Sequence, residues 1–427
     1  VTATPGRVLA VGGTRLIPAP DPIAADYLLL GLRLDQHLPD LVDGYYGPAD
    51  LKARADTDQR HSPRRLRDDI AALAERVDRE VDDGDRRGWL TAQLGALDAH
   101  ARAVGGDPLP YLDYVERCMG FAPRRHPDAE FDEAAAALDA LLPGPEPLSD
   151  RLEAFDRQLE IPVDRVPVVA EWLLERFRER AARDFGLPEG EAVRLSLVRD
   201  RPWIAYDWYL GGRRSTVELN MDLPVTALDL IVTLCHEAYP GHHLEAAWHE
   251  TDLVEGQGRL EASMILASTP EAPVSEGLAR YGTRFAAPLD ERADLIVEAL
   301  GQAGTPLAAD ASAARDVAER AVLLAPQRDR LEAATDAAAV RLHADGASRD
   351  DVLDYLREIG RYPEDVATKR LAFIDDPLAR LHVFAYERGE ALVAAWVDTA
   401  EAPDQVERFG RLLHAQITPG RLLADRA

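Results

Sequence analysis

Apolar side chains recur every three or four positions over residues 23–38, 63–81, 86–104 and 128–142, the spacing that gives a helix one buried face. Turn-forming runs separate them: Gly44-Tyr45-Tyr46-Gly47-Pro48, Gly105-Gly106-Asp107-Pro108 and Pro143-Gly144-Pro145-Glu146-Pro147. Residues 148–159 and 163–185 continue the helical pattern. The period then changes. Residues 193–198 alternate apolar and polar side chains, 203–210 are rich in aromatic residues, Gly211-Gly212 offers a turn, and 215–219 alternate again. Such alternation predicts a small antiparallel sheet of two or three strands. From Val225 onward helical spacing resumes, including an Ala-rich stretch over 307–343. The expected architecture is mainly α, with one small sheet at about 193–220. The prolines at 143–147 form either a stiff corner within one helical domain spanning 1–427, the preferred reading, or a boundary between regions 1–145 and 146–427.

Composition narrows the function. The 427 residues carry 49 Lys and Arg against 76 Asp and Glu, a net charge of −27. A surface this acidic repels phosphate backbones and anionic headgroups, so neither nucleic acid nor a membrane surface is an expected partner. Two cysteines, Cys118 and Cys235, make neither a disulfide framework nor a cysteine-based zinc site. The early apolar run at 8–11 is too short for a signal peptide, and no run approaches the roughly 20 residues that span a bilayer. These features predict a soluble, cytoplasmic protein.

One segment departs from the rest. Of 11 histidines, His236, His242, His243 and His249 fall within 14 residues, where even spacing would place roughly 0.4. Leu228, Ile231, Val232 and Cys235 form an apolar stripe leading to His236-Glu237, which puts that pair near the end of a core helix. In the zinc-peptidase pattern H-E-x-x-H, two histidines one turn apart bind the metal and the Glu activates water. Here Pro240 stands where the second His would be. On an unbroken helix His242 would lie about 9 Å along the axis and roughly 240° around it, and His243 about 10.5 Å away. Pro240 removes a helical hydrogen bond, and Gly241 opens conformations closed to other residues. The chain is therefore expected to break there and fold a later His back toward His236. The competing account is a polar cap without metal, and His249 reads as a surface residue.

Downstream, Ser275 is expected to cap a helix with Glu276 in its first turn, which places a carboxylate where a third ligand is needed. Alternatively Glu276 favours the helix N-terminus electrostatically, worth about 0.3–1 kcal/mol. Glu245, Glu250, Glu255 and Glu261 compete, on what read as solvated helix faces.

The run His236-Glu237-Ala238-Tyr239-Pro240-Gly241-His242-His243-Leu244 followed by Glu276-Gly277-Leu278-Ala279-Arg280-Tyr281 resembles an uncharacterised bacterial family of predicted metal-dependent hydrolases. Those proteins carry H-E-x-x-P-G-H-H and E-G-W-A-x-Y, and their fold is similar to the Taq-type thermostable zinc carboxypeptidases. The resemblance covers about residues 217–281, with a fainter echo at Tyr386-Glu387-Arg388-Gly389. Leu278 replaces the usual Trp, and relative to the carboxypeptidase pattern H-E-x-G-H two residues are inserted.

The resemblance implies a large helical metallopeptidase-like fold with a groove. It also implies that His236, His242 and Glu276 bind the metal, with His243 as alternate ligand, and that Glu237 is the general base. Zn²⁺ is the implied cofactor, with Mn²⁺ or Co²⁺ as alternatives, and a peptide or small amide is the implied substrate. Stabilising the oxyanion needs a donor besides the metal; Tyr386 ranks first, then Tyr281 and Tyr239. Residues 215–220, leading to the metal helix, are the expected strand for pairing with an extended substrate. A carboxypeptidase would also need a cation for the terminal carboxylate, drawn from Arg213, Arg214, Arg280, Arg284 or Arg388. A metallopeptidase is the leading reading. The alternatives are a hydrolase of non-peptide amides or esters, and a catalytically silent helical binding protein.

Overall fold

The computed structural model describes residues 21–201 and 203–425; the apolar run at 8–11 lies outside them. The fold is mainly α. Helices Pro22–Asp35, Pro63–Glu80, Gly84–Val104 and Asp128–Leu141 occupy the first four periodic stretches. Local chemistry sets their starts: the Ser62 hydroxyl accepts from the Arg65 N–H with Pro63 in the first turn, and Asp83 caps the next helix through the N–H groups of residues 85 and 86. Residues 143–147 connect Asp128–Leu141 to Leu148–Asp156. No helix among the described residues is long and apolar enough to cross a membrane.

Two small sheets interrupt the helices, where the alternation indicated one. Strands β1 (Val42–Tyr45) and β5 (Met264–Leu266) pair antiparallel across the fold. The other sheet comprises β2 (Ala192–Val198), β3 (Ala205–Tyr209) and β4 (Arg214–Asn220), in the order β2-β4-β3. It is mixed rather than antiparallel: β3 runs antiparallel to β4, but β2 lies parallel to it, from Ala192 beside Arg214 to Val198 beside Asn220. Alternation marks which faces are buried and is silent about which strand is neighbour to which. The β3–β4 turn places Gly211, Gly212 and Arg213 at φ of 73°, 64° and 59°, a left-handed succession that the two glycines permit. Glu250 holds it by accepting from the N–H groups of Gly212 and Arg213, each at 2.9 Å, and from the Tyr209 hydroxyl at 2.6 Å.

The apolar side chains gather into two clusters. One joins the N-terminal helices to Tyr209 and to residues of the 246–266 segment, and the larger unites the remaining helices. The N-terminal helices thus pack over the chain that follows the histidine cluster.

Candidate metal centre

The helix Ala227–Glu237 starts with a capping box, Thr226 and Asp229 each binding the other's backbone N–H, and buries Leu230, Ile231, Leu234 and Cys235. It stops at His236-Glu237. The Tyr239–Pro240 peptide is cis. A Cβ on Gly241 would lie 1.8 Å from the His236 carbonyl oxygen, so only glycine lets the chain fold this closely over the helix end. A new helix, His242–Trp248, begins at once. The fold-back brings His236 and His242 edge to face, with their Nε2 atoms 3.1 Å apart.

Glu276 arrives on the helix Ala272–Ala286, which begins earlier than expected, with Pro273 in its first turn. Ser275 is therefore no cap and Glu276 lies past the first turn. Instead the Ser275 hydroxyl donates to Glu245 Oε2 at 2.5 Å and sits 3.2 Å from His242 Nδ1. Glu276 Oε2 lies 3.2 Å from His236 Nε2 and 3.7 Å from His242 Nε2. Its other oxygen is 3.1 Å from His382 Nε2.

The chemistry of this triangle suits a metal ion. Glu276 Oε2 is buried and has no hydrogen-bond partner among the described residues despite two imidazoles nearby. The two Nε2 atoms face each other, and at most one hydrogen can lie between them. Three donor atoms aimed at a common point are what a cation satisfies. In a tetrahedron with bonds of 2.0–2.1 Å the ligand atoms lie about 3.3 Å apart, and the three separations here bracket that value. Outer partners complete the set, with Ser275 at His242 and His382 at Glu276, the arrangement that orients metal ligands.

Glu237 neighbours this triangle. Burial pushes its carboxyl up, opposed by His236 and His242, and the Asp207 backbone N–H donates to it. Burial also pushes up the Glu276 carboxyl, but His236, His242 and His382 together hold it well below the usual range. Tyr386, from the helix Ala385–Val397, packs its ring on His382 with centroids 5.3 Å apart. Burial, then the charges of Glu276 and Glu237, keeps its hydroxyl protonated. This helix crosses the Glu276 helix closely: a Cβ on Gly277 would lie 2.2 Å from the Gly389 carbonyl oxygen.

Several candidates stand elsewhere. His243 is wholly buried, its Nδ1 2.8 Å from the Ser215 hydroxyl and its Nε2 3.1 Å from Glu191, so it faces away from the triangle. The Tyr239 hydroxyl binds Glu191, and that of Tyr281 binds Asp398. His249 is buried rather than on the surface, as are Glu245, Glu250 and Glu261; each of the three carboxylates has a partner distant in sequence, namely Ser275, the β3–β4 turn and Arg86. Glu255 is exposed and pairs with Arg213. Arg280 is engaged by Glu390 and Glu332, Arg284 lies over the Tyr281 ring, Arg388 over the Phe121 ring, and Arg214 is exposed. The strand beside Glu237 is β3, an edge strand; β4, which holds 215–220, is central.

Sequence reasoning missed His382, Asp207 and Asp43. His382 precedes Tyr386 by one helical turn, a usable signal. Asp43, on β1, accepts from the Tyr206 hydroxyl and interacts electrostatically with His382, His242 and Glu276, and nothing local in the sequence announces it.

No family model and no curated protein matches this sequence, so the family resemblance rests on its motifs. Solved structures do match. A candidate lipoprotein from Colwellia psychrerythraea, 13% identical, aligns with a TM-score of 0.51 over 96% of this chain and 76% of its own, and shares its fold. Fainter likenesses are a candidate lipoprotein of unknown function from Shewanella oneidensis (9% identity, TM-score 0.48, 94% and 82% covered) and the M32 carboxypeptidase from Deinococcus radiodurans R1 (14%, 0.38, 95% and 96%).

Proposed function

We propose that this chain is a metal-dependent hydrolase of amide bonds, a metallopeptidase acting on peptides as a carboxypeptidase or oligopeptidase. The observation that carries the reading is the convergence of His236 Nε2, His242 Nε2 and Glu276 Oε2 beside the half-buried Glu237. A bound Zn²⁺, or Mn²⁺ or Co²⁺ in its place, supplies Lewis acidity toward water and the scissile carbonyl. Glu237 takes the proton of the attacking water and hands it to the leaving amine; its raised proton affinity suits both transfers. Tyr386 remains a protonated donor for the developing oxyanion. The outer edge of β3 offers backbone groups to an extended substrate, a sequence-tolerant mode of binding. Non-peptide amides and esters are the alternative substrates for the same donor set.

The test combines elemental analysis with turnover of a peptide library. His236→Ala and Glu276→Ala each lose one equivalent of zinc relative to the native chain. Glu237→Gln retains it and lowers kcat by about 10²–10⁴-fold. Undiminished turnover in Glu237→Gln overturns the mechanism. Unchanged metal content in both ligand variants overturns the site.

A further inference from the structure

Tyr386 and Glu387 are consecutive on one helix, so their side chains leave it about 100° apart. Tyr386 packs on His382, beside the centre described above. Glu387 instead lines a cavity of about 230 Å³ together with His126, Asp336 and Arg388, a cavity that shares no lining residue with the first centre.

Asp336 is the anomaly there. It lies on the helix Ala334–His343 between buried Thr335 and Ala337, and is only 6% exposed. Among the described residues it makes no hydrogen bond and no ion pair; the charges of Glu387 and Glu332 act on it first, opposed by those of Arg280 and Arg370. A carboxyl group this buried and without a protein partner is unfavourable unless it stays protonated or meets water or a cation in the cavity.

Two ligand-type side chains, His126 and Glu387, share its cavity with Arg124 and Arg388, and Arg124 Nη1 lies 3.9 Å from Glu387 Oε1. The His126 side chain is 3% exposed, with Nδ1 3.3 Å from Glu130 Oε2 and Nε2 3.2 Å from Glu387 Oε2. Glu130 is itself held by Arg124. An imidazole whose Nδ1–H donates to an outer carboxylate turns the lone pair of Nε2 toward the cluster, as metal-bound histidines do. One donor atom each from His126, Asp336 and Glu387 lies within 4.8 Å of the other two. A protonated His126 would satisfy Glu130 and Glu387, but it would leave Asp336 as it stands.

We infer that His126, Asp336 and Glu387 form a second divalent-cation site, distinct from the His236 centre, with the cavity holding the waters that complete the ion's shell. One imidazole and two carboxylates suit Zn²⁺ or Mn²⁺. The ion would tie together three segments far apart in sequence, among them the helix that carries Tyr386.

The test uses the chelator-treated full chain titrated with Zn²⁺ alone, by calorimetry and by melting temperature. In the His236→Ala/Glu276→Ala background, where the first centre is silenced, one equivalent is expected to bind and to raise Tm. Adding Asp336→Asn abolishes both effects. Should Asp336→Asn fail to fold, Glu387→Gln, whose parent side chain is 45% exposed, serves instead and weakens binding by at least about 10-fold. No binding in the double-variant background overturns the second site, as does unchanged affinity in Asp336→Asn or Glu387→Gln. A native chain whose only equivalent is lost with Asp336→Asn but kept with His236→Ala sinks the first site and supports the second.

Discussion

His100 shows how much a single buried side chain can carry in this fold. It is wholly buried, with Nε2 2.9 Å from the Ser268 carbonyl oxygen and Nδ1 2.7 Å from the Tyr114 hydroxyl. Those partners fix one neutral tautomer: Nε2–H donates and Nδ1 accepts. Burial lowers its pKa to about 4, against the bond to Ser268. The unfolded chain takes up a proton near pH 6.5 while the folded chain resists until about pH 4. The stability at stake is therefore intact above 6.5 and declines as pH falls toward 4. Melting temperature followed across that window should fall more steeply in the native chain than in His100→Gln. Parallel curves would mean that His100 is not held neutral. Residues such as Glu250 and Glu261 carry the complementary lesson. Their local pattern reads as solvated helix, and only partners far along the chain make their burial tolerable.

At the scale of elements, the site depends on two helices approaching closely at glycine. A Cβ on Gly277 would meet the Gly389 carbonyl, and one on Gly389 would lie 2.0 Å from the Pro273 carbonyl oxygen. Both obstacles are backbone, so the helices would have to separate, carrying Glu276 and Tyr386 apart. Gly277→Ala and Gly389→Ala should each cost about 1–3 kcal/mol or more by overpacking, outweighing the roughly 1 kcal/mol that Ala gains over Gly in a helix. Both should also lower metal content. Gly301→Ala is the control: nothing lies within 4 Å of its Cβ, so it should be neutral or slightly stabilising. Melting temperatures and zinc content of the three variants decide this. Much of this element was legible in the sequence, since Glu276-Gly277 and Tyr386-Glu387-Arg388-Gly389 carry the two glycines. What the motif could not reveal is that the glycines serve each other. Likewise Pro240-Gly241 announced a break, and the steric demand at the His236 carbonyl explains why the second residue is Gly.

For the whole molecule, the question is what fastens the N-terminal helices over the segment that follows the histidine cluster. Besides the β1–β5 pairing, Arg86 reaches Glu261 with Nε at 2.5 Å and Nη2 at 3.0 Å, and Asp21 with Nη2 at 2.7 Å. Glu261 is 0% exposed. Removing Arg86 strands a buried carboxylate, which costs about 3–5 kcal/mol. Arg86→Met should therefore shift the urea midpoint markedly downward, while a change within about 0.5 kcal/mol, typical of surface positions, would show that this pair does not join the two parts. Asp43 and Tyr206 meet across the same junction, so loosening it should also disturb the surroundings of His382.

Helical character, the place of the three-stranded sheet, the break at Pro240-Gly241 and the set of residues from which a site could be drawn are legible along the chain. All of these are written in spacings of two to four residues, where local geometry is decided by neighbours along the chain. Folding set His242 toward His236 and His243 toward Ser215 and Glu191, laid β2 parallel to β4, and brought His382 to Glu276 and Ser275 to His242. It also decided which acidic residues are buried. These outcomes depend on contacts between segments tens to hundreds of residues apart. Packing selects them, because a buried polar group is tolerated only where another part of the chain supplies its partner.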